Sequence, residues 1–235
     1  MTVAEIMTAL EGYGSEQTKK VLTRHGAKEP FFGVKVGDLK KIVKKVKKNH
    51  ELALELYETG NSDAMYLAGL IADESKMTKA MLQQWVDGAY WYMLSEYAVP
   101  FVAAETPFAY ELALEWIDSS EERVASAGWA TLAGLTSIKA DENLDVKGLE
   151  QLMERAAKEV HDAPNRVRYT MNGFVIAMGI NVASLTEKAQ ELAANIGKVS
   201  VNMGGTSCKV PLAKDYIQKA IDKDKIGKKR KSARC

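Results

Sequence analysis

Apolar residues recur along this chain at spacings of three and four, and alternation at period two is almost absent. From Gly37 to Asn49 the apolar positions are Leu39, Ile42, Val43 and Val46. They form one stripe, which predicts an amphipathic helix with Asp38 as its N-terminal cap region. Further helices are announced by their start chemistry. Ser62-Asp63 precedes an apolar run, Thr78 precedes Lys-Ala-Met-Leu, and Thr106-Pro107 reads as a cap followed by proline at the first helical position. Ser119-Ser120-Glu121-Glu122 and Ala163-Pro164 open two more. Helix formers dominate, prolines number five, and no strand can be placed before residue 198, so the chain is predicted to be all-α.

Short connections make successive helices antiparallel neighbours. Three small-residue helices also resemble one another: Asp63 to Leu70, Arg123 to Ala130 and Arg168 to Val175. Each places a glycine (Gly69, Gly128, Gly173) where a neighbouring helix can approach closely. Stacked helix pairs of roughly 30–45 residues are the HEAT-like solution, a solenoid curved around a concave face. A plain helical bundle is the alternative. The chain changes character at Gly197, where residues 198–211 are polar, β-branched and glycine-rich and read as an ordered loop or short extended segment. A last helix is expected from about Ala213 to Asp222. This divides the chain into a HEAT-like domain, 1–222, and a basic tail, 223–235.

Composition narrows the class. With 235 residues, 46% hydrophobic and 27% charged, the chain is long enough for a substantial core, and disordered, collagenous and disulfide-scaffold readings are excluded. The only cysteines are Cys208 and Cys235, too few for a thiolate metal site or a disulfide framework, and a reducing, cytoplasmic setting is expected. The acidic N-terminal segment lacks a signal-peptide core, and apolar runs such as 174–180 are far short of a membrane span. No membrane partner is expected.

The net charge is only +1, but it is segregated. Residues 35–48 and residues 223–235 carry +6 each, leaving −11 on the rest. On the first of these segments Lys41, Lys44, Lys45 and Lys48 share a face opposite the apolar stripe, a row of ammonium groups suited to phosphates. The competing readings are a merely solvated lysine face and a disordered tail.

A second signal is Tyr90-Trp91-Tyr92 followed by Glu96. Residues 92 and 96 share a helix face, so a ring and a carboxylate project together. Core packing with an exposed glutamate is the plainer account. His25, His50 and His161 lack metal-ligand spacing with carboxylates, and no metal is expected. The stretch Gly204 to Lys209 lacks the order of a nucleotide-phosphate loop, so no nucleotide cofactor is expected, nor any other. Cys208 lies beside Lys209 but has no base adjacent in sequence, and an inert thiol is the default. Arg166 and Arg168, beside Asn165, suit either phosphate contact or bracing of a helix start.

Three runs carry a family resemblance. They are Tyr90-Trp-Tyr-Met-Leu-Ser-Glu96-Tyr-Ala-Val-Pro100, then Trp116-Ile-Asp-Ser-Ser-Glu-Glu-Arg-Val-Ala-Ser126, then Arg166-Val-Arg-Tyr-Thr-Met-Asn-Gly-Phe174, together with Met203 to Pro211. Over most of its length the chain resembles the AlkD-like DNA alkylation repair family. The resemblance implies a HEAT-like solenoid that binds double-stranded DNA, alkylated or distorted, in a basic concave groove. A monomer is expected. It also implies a DNA glycosylase that releases N3- and N7-alkylated purines without flipping the base. Such a purine is already cationic and needs no general acid; the remaining task is to stabilise an oxocarbenium-like sugar with ring faces and a carboxylate. By resemblance Tyr92 takes the aromatic position with Trp91 beside it, Glu96 the family's Asp position, and Phe174 the late tryptophan position. The family's arginine falls near Ser126, with Arg123 one turn earlier. These four positions, Tyr92, Trp91, Glu96 and Phe174, are the candidate catalytic set; Lys41, Lys44, Lys45, Lys48, Arg123, Ser126, Arg166 and Arg168 are the candidate DNA contacts. Glu for Asp moves the carboxylate outward by one methylene, so a non-catalytic relative that recognises bent, branched or damaged DNA is the second expectation. A protein-interaction scaffold is the third.

Overall fold

The computed structural model describes residues 1–234. Helices are the regular structure of these residues, with no strand among them. Helices α1 (Val3–Tyr13), α2 (Glu16–Arg24) and α3 (Val36–Val46) lead into five pairs. The pairs are α4 (His50–Glu58) with α5 (Ser62–Ile71), α6 (Lys79–Gly88) with α7 (Val99–Ala103), and α8 (Ala109–Ile117) with α9 (Glu122–Ile138). They continue with α10 (Val146–Glu159) and α11 (Asn165–Asn181), then α12 (Thr186–Ile196) and α13 (Ala213–Asp222). Second helices pack on second helices, α5 on α7, α7 on α9, α9 on α11 and α11 on α13, which is the HEAT-like stack.

First helices are stitched by aromatic and polar pairs. Tyr57 stacks on Trp85 with centroids 4.1 Å apart, and its hydroxyl donates to the Trp85 carbonyl. The Trp116 indole donates to Gln83 at 2.8 Å. Arg155 pairs with Asp118 at 2.7 Å.

Side-chain caps supply many of the helix starts: Thr2 and Glu5 form a reciprocal capping box, and Ser15, Asn49, Asn61, Thr78 and Asp145 accept from first-turn amides. Three expected starts move. The N-cap of α3 is Lys35, which leaves Asp38 inside its first turn. Asn61, not Ser62, caps α5, and α8 begins at Ala109 because the Thr106 hydroxyl donates backward to the Ala103 carbonyl and closes α7 instead. Asp63 sits inside the first turn of α5 as an anchor. Its carboxylate accepts from the amides of Phe32, Gly33 and Val34 at 2.6, 3.0 and 3.1 Å, fixing the segment before α3.

Of the three similar glycines, two do what was expected. A Cβ on Gly69 would lie 2.7 Å from the Ala98 carbonyl oxygen, and one on Gly128 would lie 2.7 Å from the Ile117 nitrogen. Gly173 differs, because a Cβ there meets nothing within 4 Å.

The basic C-terminal segment is a strap that runs back along the C-terminal ends of the second helices. The Gly227 amide donates to the Ile180 carbonyl and the Arg230 amide to the Ser137 carbonyl. Lys229 Nζ reaches the carbonyls of Thr136 and Asn181 at 2.8 and 2.7 Å. Arg234 donates to the Ala72 carbonyl at 2.7 Å and pairs with Glu74 and Glu105, while Ala233 is buried. Cations at carbonyl-rich helix ends are where the helix dipole favours them.

Candidate functional site

The chain thickens into a single π-helical turn at Leu94–Ala98. Pro100 accounts for it: proline lacks the amide that would donate to Glu96, and its ring collides with the carbonyl four residues back in a regular helix. The wider turn relieves that conflict and carries Glu96 and Tyr97 toward the start of α11.

There Arg166 closes on Glu96 in a two-pronged pair. Nε donates to Oε1 at 2.7 Å and Nη2 to Oε2 at 2.6 Å. The guanidinium carbon lies 4.3 Å from the centre of the Tyr92 ring and 4.5 Å from that of Tyr169, so it is sandwiched between two aromatic faces. Nη1 completes its contacts on the Met203 sulfur at 3.5 Å. The Glu96 side chain is only 2% exposed. Burial pushes its carboxyl up to about 7, against the opposing pull of Arg166. Burial likewise pushes the Tyr92 hydroxyl up to about 12.

Neighbouring elements hold this centre. Glu122, in the first turn of α9, accepts the Arg166 backbone amide at 2.7 Å. Asn165 and Asn202 exchange two hydrogen bonds, at 3.1 and 2.7 Å, and so tie the 198–211 loop to α11. Gly204 carries the loop across to α2 at φ +70, where a Cβ would lie 1.8 Å from the Arg24 carbonyl oxygen, so only glycine fits. Beyond it the Cys208 sulfur lies 3.8 Å from Nε2 of His25, whose ring meets that of Tyr92 edge-on.

Two clefts flank the centre. A polar one of about 350 Å³ is bordered by His25, Tyr92, Arg123, Asn165, Arg166 and Asn202. An apolar one of about 360 Å³ begins at Glu96, Tyr97 and Tyr169 and runs between α9 and α11 to the strap.

The candidate residues separate on this map. Tyr92, Glu96, Arg166 and Arg123 meet at or beside the centre, with Arg123 also 3.4 Å from Glu121. Trp91 brings only an edge to the polar cleft; it is 8% exposed and its indole donates to the Ser62 hydroxyl at 2.7 Å. Phe174 is fully buried with its centroid 5.2 Å from that of Trp129, which corrects its expected place on a lesion-facing surface. Ser126, expected among the DNA contacts, is also fully buried, its hydroxyl without a hydrogen-bond partner among the described residues. Arg168 braces the helix start through the carbonyls of Ala163 and Ser200. Lys41 pairs with Asp38 and Lys48 with Glu74, whereas Lys44 and Lys45 stand exposed; none of the four borders either cleft.

Sequence reasoning missed Tyr169, Tyr97, His25 and Asn202. Tyr169 was open to inference, lying three residues after Arg166 on one helix face. The other three depend on the π-turn and on the loop reaching α2. Among the described residues no group of three His, Cys, Asp or Glu side chains could hold a metal ion, and no helix is long and apolar enough to cross a membrane.

Comparison with known proteins gives the class. A family model described as DNA alkylation repair enzyme matches residues 6–196, and the chain belongs to that family. It is 37% identical over 227 residues to the uncharacterized protein Lin0241 of Listeria innocua, covering 94% of this chain and 97% of that one. It is 36% identical over 231 residues to the uncharacterized protein Lmo0209 of Listeria monocytogenes, covering 96% of this chain and 100% of that one. A solved structure superimposes with a TM-score of 0.91 at 40% identity over the whole of both chains. It is described as a new family of proteins related to the HEAT-like repeat DNA glycosylases with affinity for branched DNA structures.

Proposed function

We propose that this protein binds DNA by shape and backbone contact, favours branched or otherwise distorted structures, and does not hydrolyse N-glycosidic bonds. The observation that carries this reading is the Glu96–Arg166 pair. A glycosylase of this type needs a carboxylate and ring faces open to a developing sugar cation. Here each Glu96 oxygen accepts from Arg166, and the guanidinium already covers one face of Tyr92 and one face of Tyr169. A cationic sugar would have to displace a cation from a buried site. The late ring that would complete the catalytic set, Phe174, is in the core.

What remains is suited to recognition. Arg123, His25 and the amide side chains of Asn165 and Asn202 border the polar cleft, and such groups position a protein on phosphates without reading sequence. The likeness to a structure with affinity for branched DNA supports the same conclusion. The exposed thiol of Cys208 suits a reducing cytoplasm.

The test is a comparison of a three-way junction with a straight duplex of the same length, titrated at several salt concentrations. The junction is expected to bind more tightly, with affinity falling steeply as salt rises. Arg123→Glu weakens it by about tenfold or more, a loss of roughly 1.4 kcal/mol. Equal affinity for both DNAs, or indifference to Arg123, would refute the reading.

A further inference from the structure

The apolar cleft is not used by the reading above, and its construction is unusual. Its floor is made of small residues on two packed helices, including Ala130 and Ala133 of α9 and Gly173 and Ala177 of α11. Gly173 has no packing reason to be glycine, since a Cβ there enters open space, and glycine within a helix is otherwise unfavourable. Its effect is to keep the cleft open. One end is aromatic and acidic, with Tyr97, Tyr169 and the edge of Glu96. The other end is supplied by the strap, where Ala233 closes the wall and the exposed Arg230 sits at the mouth. Among the described residues the Arg230 guanidinium donates to the Arg234 carbonyl and is paired with no carboxylate.

A cleft of about 360 Å³ falls within the range of small-ligand sites, about 300–1,000 Å³. Its chemistry suits a flat apolar body with an anion attached: the rings of Tyr97 and Tyr169 at one end, the exposed Arg230 guanidinium at the other, and apolar walls between. We propose that this cleft receives one unpaired nucleobase splayed from a DNA branch point, stacked near Tyr97 and Tyr169, with an adjoining phosphate on Arg230. Base-to-ring stacking tolerates any sequence, so the site selects unpaired bases and not particular ones. The inference rests on the DNA-binding reading and adds the feature of the DNA that is read.

The experiment uses the full chain and two three-way junctions, one fully paired and one with two unpaired adenines at the branch, the second also made with 2-aminopurine at an unpaired position. The wild-type protein is expected to bind the unpaired junction about tenfold more tightly and to quench 2-aminopurine on stacking. Gly173→Leu, which places bulk in the cleft without a steric clash at its Cβ and raises helix propensity, abolishes both effects and leaves affinity for the paired junction unchanged. Arg230→Glu, an exposed substitution, lowers the preference without the added bulk. Equal binding of the two junctions with no quenching, or a preference that survives both variants, overturns this inference alone. Failure to bind either junction overturns the DNA-binding reading together with it.

Discussion

Glu96 is where one methylene and one neighbour change the chemistry of the site. Its carboxylate is almost fully removed from water and relies on Arg166 for both oxygens. Arg166→Ala therefore leaves a buried acid without a partner, at a cost of about 3–5 kcal/mol of stability, measurable by urea unfolding. The pH dependence has a definite sign. Burial holds the folded-state carboxyl near 7, above the ordinary glutamate value near 4.3, so the folded protein binds the proton more tightly than the unfolded chain. The contribution of Glu96 to stability is therefore greatest below about pH 4.3 and is lost as pH rises through about 7. Between pH 5 and 8 the wild type should lose stability relative to Glu96→Gln, and a constant difference between the two would show that Arg166, not burial, sets the titration.

Among the elements, the strap and the π-turn matter most. The strap places Lys229 and Arg234 on carbonyls at the ends of α5, α9 and α11, and Arg234 also joins Glu74 to Glu105. Truncation before Gly227 removes these charged hydrogen bonds and is expected to destabilise the fold by about 2–4 kcal/mol. An unchanged denaturation midpoint would mean that the strap lies on the stack without supporting it. Its basic composition reads equally well as a solvated tail, because nothing local reveals that distant helix ends offer carbonyls and acids to receive it. The same limit applies to the 198–211 loop, whose contact with α2 bridges almost the whole chain. By contrast the helices themselves were legible: the Leu39, Ile42, Val43 and Val46 stripe lies on α3, and the last helix spans Ala213–Asp222 as expected. Those signals are local, and local signals decide a helix.

At the scale of the whole molecule, the stack brings residues 70 positions apart into one ion pair and leaves a polar and an apolar cleft on either side of it. The sharing of one face by Tyr92 and Glu96 could be read from spacing. The occupation of that face by Arg166 could not, since it depends on how α11 packs beside the π-turn. The burial of Phe174 and Ser126 was hidden for the same reason: both lie in small-residue helices packed on more than one side, where a residue's position along the sequence does not reveal which face meets a neighbour. The outcome is a DNA alkylation repair fold in which the carboxylate at the candidate catalytic position is paired with Arg166. The most direct measurement is release of free 7-methylguanine from a methylated duplex by the purified protein, beside Glu96→Gln and a protein-free control for spontaneous depurination. Release at the control rate, from protein shown to be folded and bound to DNA, is the predicted result; release well above it that disappears with Glu96→Gln would contradict the account.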